Sequence, residues 1–316
     1  MKNHTFPGNP TPASRIVMGT MIINLNNYEQ SKALMDDALR LGINAFDSAF
    51  VYGGGNSERA IGQWMEERGN RGEVYLITKG AHPDGRSKVN AKDITADLTE
   101  SLSRLRTDYI DAYMLHRDDE EKEVGPIIDI LHEHCAAGRI RAFGGSNWKH
   151  ERVEAANEYA AKKGKTPMTV TSPNYGLCEQ VNDPWGPGCV TISGDVNAGA
   201  REFYRKNGIP VFAYSSLGRG MLSGRATREN YKEVLDGTAQ YAYAHEVNFA
   251  RLDRARELAA EKSVSVPQIA LAYLMNQPVT VFPIVGAASL AELKEAVAAA
   301  EIVLTEKECR FLENKQ

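Results

Sequence analysis

Eight short runs rich in β-branched and aromatic residues recur along the 316-residue chain, at 15–19, 44–48, 74–79, 110–116, 140–145, 169–173, 211–215 and 280–285. Between them lie segments whose apolar residues repeat every three or four positions, as in a helix with one buried face. Leu34, Ala38 and Leu41 form one such face, with Asn27 and Gln30 in capping-box spacing before it and Gly42 as a stop after it. Ile94, Leu98, Leu102 and Leu105 form another, and Ser57 stands as the cap of a third that buries Ile61, Trp64 and Met65. Strands buried on both faces need helices on both sides of an open sheet, or a ring of helices around a closed one. Eight alternations in a chain of this length predict the closed form, an α/β protein built as a single (β/α)8 TIM barrel. The competing open, doubly wound sheet ordinarily carries GxGxxG after an early strand, and no such motif follows the first two runs. No linker or low-complexity stretch divides residues 1–316, so one domain is expected. Two connections are far longer than ordinary βα loops, 178–195 after the sixth run and 219–247 after the seventh, which places both on the C-terminal face of the barrel.

Composition narrows the partners. A formal net charge of -4 gives no electrostatic basis for binding nucleic acid or an anionic membrane. No apolar run approaches the roughly 18 residues of a membrane span. Residues 1–14 are polar and lack the apolar core of a signal peptide. Cys135, Cys178, Cys189 and Cys309 show no CxxC spacing and read as free thiols of a reducing compartment, so a cytoplasmic protein is expected. No metal site is expected, because Asp47, His116 and Cys189 offer no ligand spacing. His132 and His134, two apart on a helical segment, read as surface residues.

The chemistry gathers at the ends of three consecutive strands. The second ends "FDSA", with Tyr52 in the loop behind Asp47, the third ends at Lys79 in "VYLITKG", and the fourth ends at His116 in "IDAYMLHRDD". Each alone has an ordinary structural explanation, as a loop cap, a packing aromatic, a solvated strand end or a hydrogen-bonded imidazole. In a barrel, however, the carboxyl ends of neighbouring strands ring one mouth, so the four side chains converge. A phenol with a pKa near 10 donates its proton poorly at neutral pH. A lysine ammonium beside it lowers that pKa, an aspartate holds the lysine charged and oriented, and a neutral histidine positions a carbonyl oxygen. Together they make a proton relay for carbonyl reduction or alcohol oxidation.

"FDSAFVYG", "LITKG", "LHRDD", "GGSN", "YSSLGRG" and "PIVGAAS" occur in an order and spacing in which the chain resembles the aldo-keto reductase family, from Ile16 to about Leu304. The resemblance implies a (β/α)8 oxidoreductase that moves hydride between NAD(P)H and a small carbonyl substrate. It assigns Tyr52 as acid/base, with Lys79 and Asp47 tuning it and His116 orienting the carbonyl. It also implies cofactor contacts: Ser146 and Asn147 on the nicotinamide carboxamide, Tyr214 stacked on the ring, and Gly19, Thr20 and Met21 bordering it. Ser215, Ser216, Leu217, Gly218 and Gly220 form the glycine-rich loop whose backbone N–H groups approach pyrophosphate. Gly286, Ser289 and Glu292 lie on the adenosine side. Two departures matter. Ser172 stands where the family commonly has glutamine, and Ala288 and Ser289 stand where relatives preferring NADP carry a basic clamp for the 2′-phosphate. Glu292 suits ribose hydroxyls and repels a phosphate, so a strong NADPH preference is not expected. Ala296 falls where the family places an asparagine on adenine.

A nucleotide-binding regulatory subunit, or a lyase or isomerase acting through transient oxidation by bound nicotinamide, are the alternatives on the same fold. For substrate, Met21, Phe50, Trp148 and Trp185 are expected to wall the pocket, with Asn182, Asp183 and Asp195 as polar groups. That combination favours a sugar or polyol type of carbonyl, because indole stacks on C–H faces while hydroxyls need partners.

Overall fold

The computed structural model describes residues 3–6 and 8–315. The eight expected strands are present: β1 (Val17–Gly19), β2 (Ala45–Asp47), β3 (Tyr75–Gly80), β4 (Ala112–Leu115), β5 (Phe143–Ser146), β6 (Val170–Ser172), β7 (Val211–Ala213) and β8 (Val281–Val285). They pair in parallel in chain order, and β8 closes on β1, so the sheet is a closed barrel. The fifth strand begins three residues later than its apolar run, because Ile140 makes only an isolated bridge to Ile110.

Two separate cores hold the barrel. Inside it, Val17, Ala45, Tyr75, Ile77, Met114 and Phe282 pack together with their neighbours. Outside it, Ile16, Phe46, Leu76, Tyr113 and Phe143 face the helices. The split follows the two-residue period of a strand. A short antiparallel pair, Asn3–His4 with Ala13–Ser14, was not legible as strand. It places Phe6 against Tyr75, Phe212 and Phe282, at ring separations of 5.1–5.9 Å, and closes the N-terminal end of the barrel. Asp111, fully buried nearby, is held by Arg71 and Arg141 at 2.8 Å each.

The helices bury the expected faces but are capped differently. Helix α1 (Tyr28–Arg40) buries Leu34 and Ala38, while Asn27 makes no side-chain cap. Its Oδ1 accepts from Ser31, and Asn24 instead caps the preceding turn. Helix α2 (Asn56–Arg68) already contains Ser57, whose hydroxyl bonds Thr20 and Ser48 rather than capping. Helix α3 (Ala91–Leu105) buries Ile94, Leu98 and Leu105. It packs on α2 so closely that a Cβ on Gly62 would lie 2.3 Å from the Arg104 carbonyl. In α4 (Val124–Ala136), His134 is buried, not a surface residue, and bonds Thr95 and Arg139. Among the described residues no helix is long and apolar enough to cross a membrane, and all four cysteines are free.

The two long connections zip together above the mouth. Val181 N–H donates to the Ala242 carbonyl at 3.0 Å, the Asn182 amide donates to the Tyr241 carbonyl at 2.8 Å, and the Asn174 amide donates to the Tyr243 hydroxyl at 2.9 Å. The 219–247 connection is partly helical, with α7 (Tyr231–Val234) and α8 (Gly237–Tyr243).

Candidate active site

The inner row of each strand carries on past its last core residue. Two positions above Ala45, Ile77, Met114, Val170 and Phe212 stand Asp47, Lys79, His116, Ser172 and Tyr214. The same alternation puts Gly19 above Val17 and Gly286 above Ile284, while Ser146 ends β5 on the face opposite the outward-packed Phe143. The polar ring is therefore the top layer of the barrel filling, set by strand period and register.

Lys79 donates to both carboxylate oxygens of Asp47 at 2.7 Å and to the Ser48 carbonyl at 2.9 Å. Both side chains are buried. Burial works against the charge on Lys79, but Asp47 and then Tyr52 outweigh it and hold the ammonium pKa above its ordinary value. For Asp47 burial is the larger influence and pushes the carboxyl up, with Lys79 opposing. The lysine nitrogen lies 5.2 Å from the centre of the Tyr52 ring. The half-buried phenol itself is pushed above 10, burial outweighing the pull of Lys79. The expected lowering of the tyrosine pKa is thus corrected. The lysine contribution has the predicted sign, but desolvation is larger.

The loop carrying Tyr52 is pinned from below. Gly53, Gly54 and Gly55 have φ of 57°, 62° and 87°, left-handed values that admit an abrupt turn into α2. Arg104 donates to the Phe50 carbonyl at 2.9 Å and to buried Glu58 at 3.2 Å, and Thr78 donates to Glu58 at 2.7 Å. Phe50 lies between the cations of Arg104 and Lys88, 4.1 and 5.0 Å from its ring centre.

His116 is buried, and its Nδ1 has no hydrogen-bond partner. Burial, Lys79, His82 and Arg117 hold its pKa well below 6.5, so the ring is neutral, as expected. Tyr52 and His82 meet it edge-on, at 6.0 and 5.0 Å between ring centres. His82 and Arg117 were not picked out from sequence. Arg117 directly follows His116 in "LHRDD", and His82 lies in the loop after β3.

On the other side of the mouth, Asn147 sits at φ 60°. Its Oδ1 accepts from the Tyr214 hydroxyl at 2.7 Å and from Val190 N–H at 3.1 Å, and its Nδ2 donates to the His116 carbonyl at 3.3 Å. Asn147 is therefore fully engaged, and a carboxamide can reach it only by exchanging one of these bonds. Ser146 donates to the Ser172 carbonyl at 2.9 Å. The Ser172 hydroxyl is fully buried without a partner. An orphaned hydroxyl on the inner face at the end of β6, two strands from His116, fits an amide-bearing ring there, so a nicotinamide suits this donor set. Thr20 and Ser216 direct their hydroxyls to backbone carbonyls of Asp47 and of Ala213 and Ile284. Ser215, Gly218, Arg219 and Gly220 have φ of 53°, 57°, 51° and 100°, a run of left-handed residues beside half-buried Leu217.

At the adenosine side, Gly286 is exposed. Ser289 caps α11 (Leu290–Ala299), and Glu292 accepts from Ala288 N–H at 2.6 Å. Ala296 is buried on the core face of α11, which corrects its placement beside adenine. Trp148 is corrected too. It is wholly buried in the helix-facing core against Gly145, with its indole donating to the Arg117 carbonyl at 3.2 Å, and does not wall the pocket. Trp185 is 44% exposed and leans on Tyr214 at 5.8 Å, under Arg219 at 5.2 Å, rather than facing His116. Met21 is exposed at the rim. Asn182 is bonded to Tyr241 and His245, Asp183 to Gln180, and Asp195 to Lys315. The polar groups expected to serve a hydroxylated substrate are thus occupied within the protein.

A barrel with a Lys–Asp pair beneath a tyrosine and a neutral histidine at one mouth defines an NAD(P)-linked oxidoreductase class. The Aldo/keto reductase family profile matches residues 15–316, so the chain belongs to the aldo-keto reductase family and is an NAD(P)-dependent enzyme of carbonyl reduction. Among relatives, an uncharacterized oxidoreductase, YrpG, of Bacillus subtilis is 29% identical over 313 residues, covering 95% of this chain and 91% of its own. The aldo-keto reductase ausK of Aspergillus calidoustus is 29% identical over 300 residues, covering 90% and 72%. The solved structure of a thermostable aldo-keto reductase, Tm1743, with the inhibitor epalrestat shares the fold, with a TM-score of 0.74 at 23% identity over 99% of both chains.

Proposed function

We propose that Tyr52 is the general acid of carbonyl reduction, with Lys79, Asp47 and His116 as its supporting groups. The observation that carries this is the buried, bidentate Lys79–Asp47 pair beside the Tyr52 ring, with the neutral ring of His116, its Nδ1 unpartnered among the described residues, edge-on at 6.0 Å from the phenol ring. When bound, the reduced nicotinamide supplies the hydride. The protein's part is to hold the carbonyl oxygen between the phenol and the neutral imidazole and to give that oxygen a proton. The raised pKa keeps Tyr52 protonated at neutral pH, and the ammonium next to it stabilises the phenolate formed as the proton leaves. Ser172, Ser146, Tyr214 and the 215–220 loop would hold the cofactor, with Asn147 joining by bond exchange. Substituting Tyr52→Phe tests the role: it keeps the ring and deletes the donor, so kcat should fall by about three orders of magnitude while cofactor affinity changes little. Near-normal turnover would remove the assignment.

The same reading extends to the cofactor. The Glu292 carboxylate already lies at the N-terminus of α11, and no basic side chain stands at Ala288 or Ser289. An anion there disfavours a 2′-phosphate, so NADH should serve at least comparably to NADPH. Residues 1–316 would act as one domain in the cytoplasm, in keeping with the four free thiols. The preference for a sugar or polyol loses its support with the burial of Trp148 and the internal bonding of Asn182, Asp183 and Asp195.

A further inference from the structure

The cations around the C-terminal rim are almost all paired with carboxylates. Lys79 pairs with Asp47, Lys88 with Asp97, Arg104 with Glu58, Lys149 with Glu120, Arg152 with Asp118 and Arg219 with Asp236. Arg117 has no carboxylate partner among the described residues. One amino group donates to the His116 carbonyl at 3.0 Å, and another lies 3.9 Å from the Cys189 sulfur. Its sequence neighbour Asp118 is turned away and gripped by both arms of Arg152, at 2.9 and 3.1 Å. Arg117 is half-buried and directly follows His116, and its charge helps lower the His116 pKa and opposes the rise at Tyr52 and Tyr214. It also lines a cavity of about 580 Å³, together with Asn147, Cys189 and Lys88. Four carboxylates of the loop after β4, Asp118, Asp119, Glu120 and Glu121, line the same cavity, and of these Asp118 and Glu120 are already paired with Arg152 and Lys149.

A guanidinium with most of its five donors unused, in a concave site and bonded to the carbonyl of His116, calls for an anion. We propose that Arg117 is a specificity-determining residue which binds an anionic group, carboxylate or phosphate, carried by the carbonyl substrate. The anion takes no part in the bond changes. It fixes which end of the molecule enters toward His116 and Tyr52. The proposal rests on the carbonyl-reductase reading of the same mouth, and Lys88, already paired with Asp97, is a secondary cation of the same cavity.

Two matched pairs test it, 4-oxobutanoate against butanal and D-glyceraldehyde 3-phosphate against D-glyceraldehyde. In the wild-type enzyme at least one charged member should exceed its neutral partner in kcat/KM by about tenfold or more, chiefly through KM, and the pair that responds identifies carboxylate or phosphate. Arg117→Met should lower that charged-to-neutral ratio by about ten- to a hundredfold, the range of a charge-assisted contact, and Arg117→Lys should retain part of it. Should the methionine variant fold poorly, Arg117→Gln keeps a donor for the His116 carbonyl and is read in the same way. Charged-to-neutral ratios at or below unity for the wild type, or a ratio untouched by both charge-removing variants, overturn the proposal. Reduction of neutral aldehydes without charge preference sinks Arg117 alone, whereas reduction of none of the four sinks the reductase reading with it.

Discussion

The two sides of the barrel mouth are built differently. Between β2 and β4, Tyr52, Lys79 and Asp47 stand on strand ends or on a loop locked by Arg104 and Glu58, and the Lys79–Asp47 contact is buried. Between β6 and β8, Ser172 at a strand end lacks a partner among the described residues, Trp185 is exposed, and the two long connections bond to each other. On the roles proposed above, the first side fixes a reaction, since proton transfer tolerates little misplacement. On the same proposal the second leaves cofactor and substrate choice to loops, where substitutions are tolerated.

The strongest way to break this contrast is to disable the rigid side. Lys79→Met should lower kcat by about three orders of magnitude and also strand a buried carboxylate, at a cost of about 3–5 kcal/mol. Thermal unfolding followed by circular dichroism should show a clear drop in Tm, partly reversed by adding Asp47→Asn. If Lys79→Met unfolds like the wild type, the pair is not the fixed element described here.

A smaller effect is expected on the loop side. Glu292→Gln removes one negative charge near the α11 N-terminus, so NADPH should gain about fivefold in affinity relative to NADH. Fluorescence titration of both cofactors reads the ratio. An unchanged ratio would place the 2′-position away from Glu292.

The smallest expected effect is an absence. His116 lies well below 6.5 and is neutral through that pH, so reduction should show no inflection near 6.5. Tyr52 stands above its ordinary value, so its acid form is full at neutral pH and declines only as pH rises past about 10. A pH profile of kcat with a break near 6.5 would show that His116 is not held neutral through that range.

Much of the rigid side was legible in the sequence, because strand alternation is local. Asp47, Lys79 and His116 stand two positions beyond Ala45, Ile77 and Met114, so the period that buries the core also aims the polar ring inward. The error over the Tyr52 pKa has a different source: the charge beside the phenol is visible in the residue types, but the amount of water removed from around it is not. More than one residue past the strand ends, the alternation no longer holds. Trp148, two residues beyond β5, turns outward to pack on Gly145, and nothing in "GGSNW" distinguishes that from facing the mouth. The terminal pair that lodges Phe6 under the barrel was equally hidden, since two-residue strands carry no periodicity.

By itself, the sequence determined the barrel, its order and the polar ring, because each depends on a pattern repeated within a few residues. Only the tertiary structure decided that Asn147 is held by Tyr214, that Trp185 leans on Tyr214, that Glu292 is taken up by the Ala288 N–H, and that Arg117 has no carboxylate partner among the described residues. Those outcomes depend on which of several acceptors lies nearest after connections some tens of residues apart have folded against one another, and no local period encodes that competition.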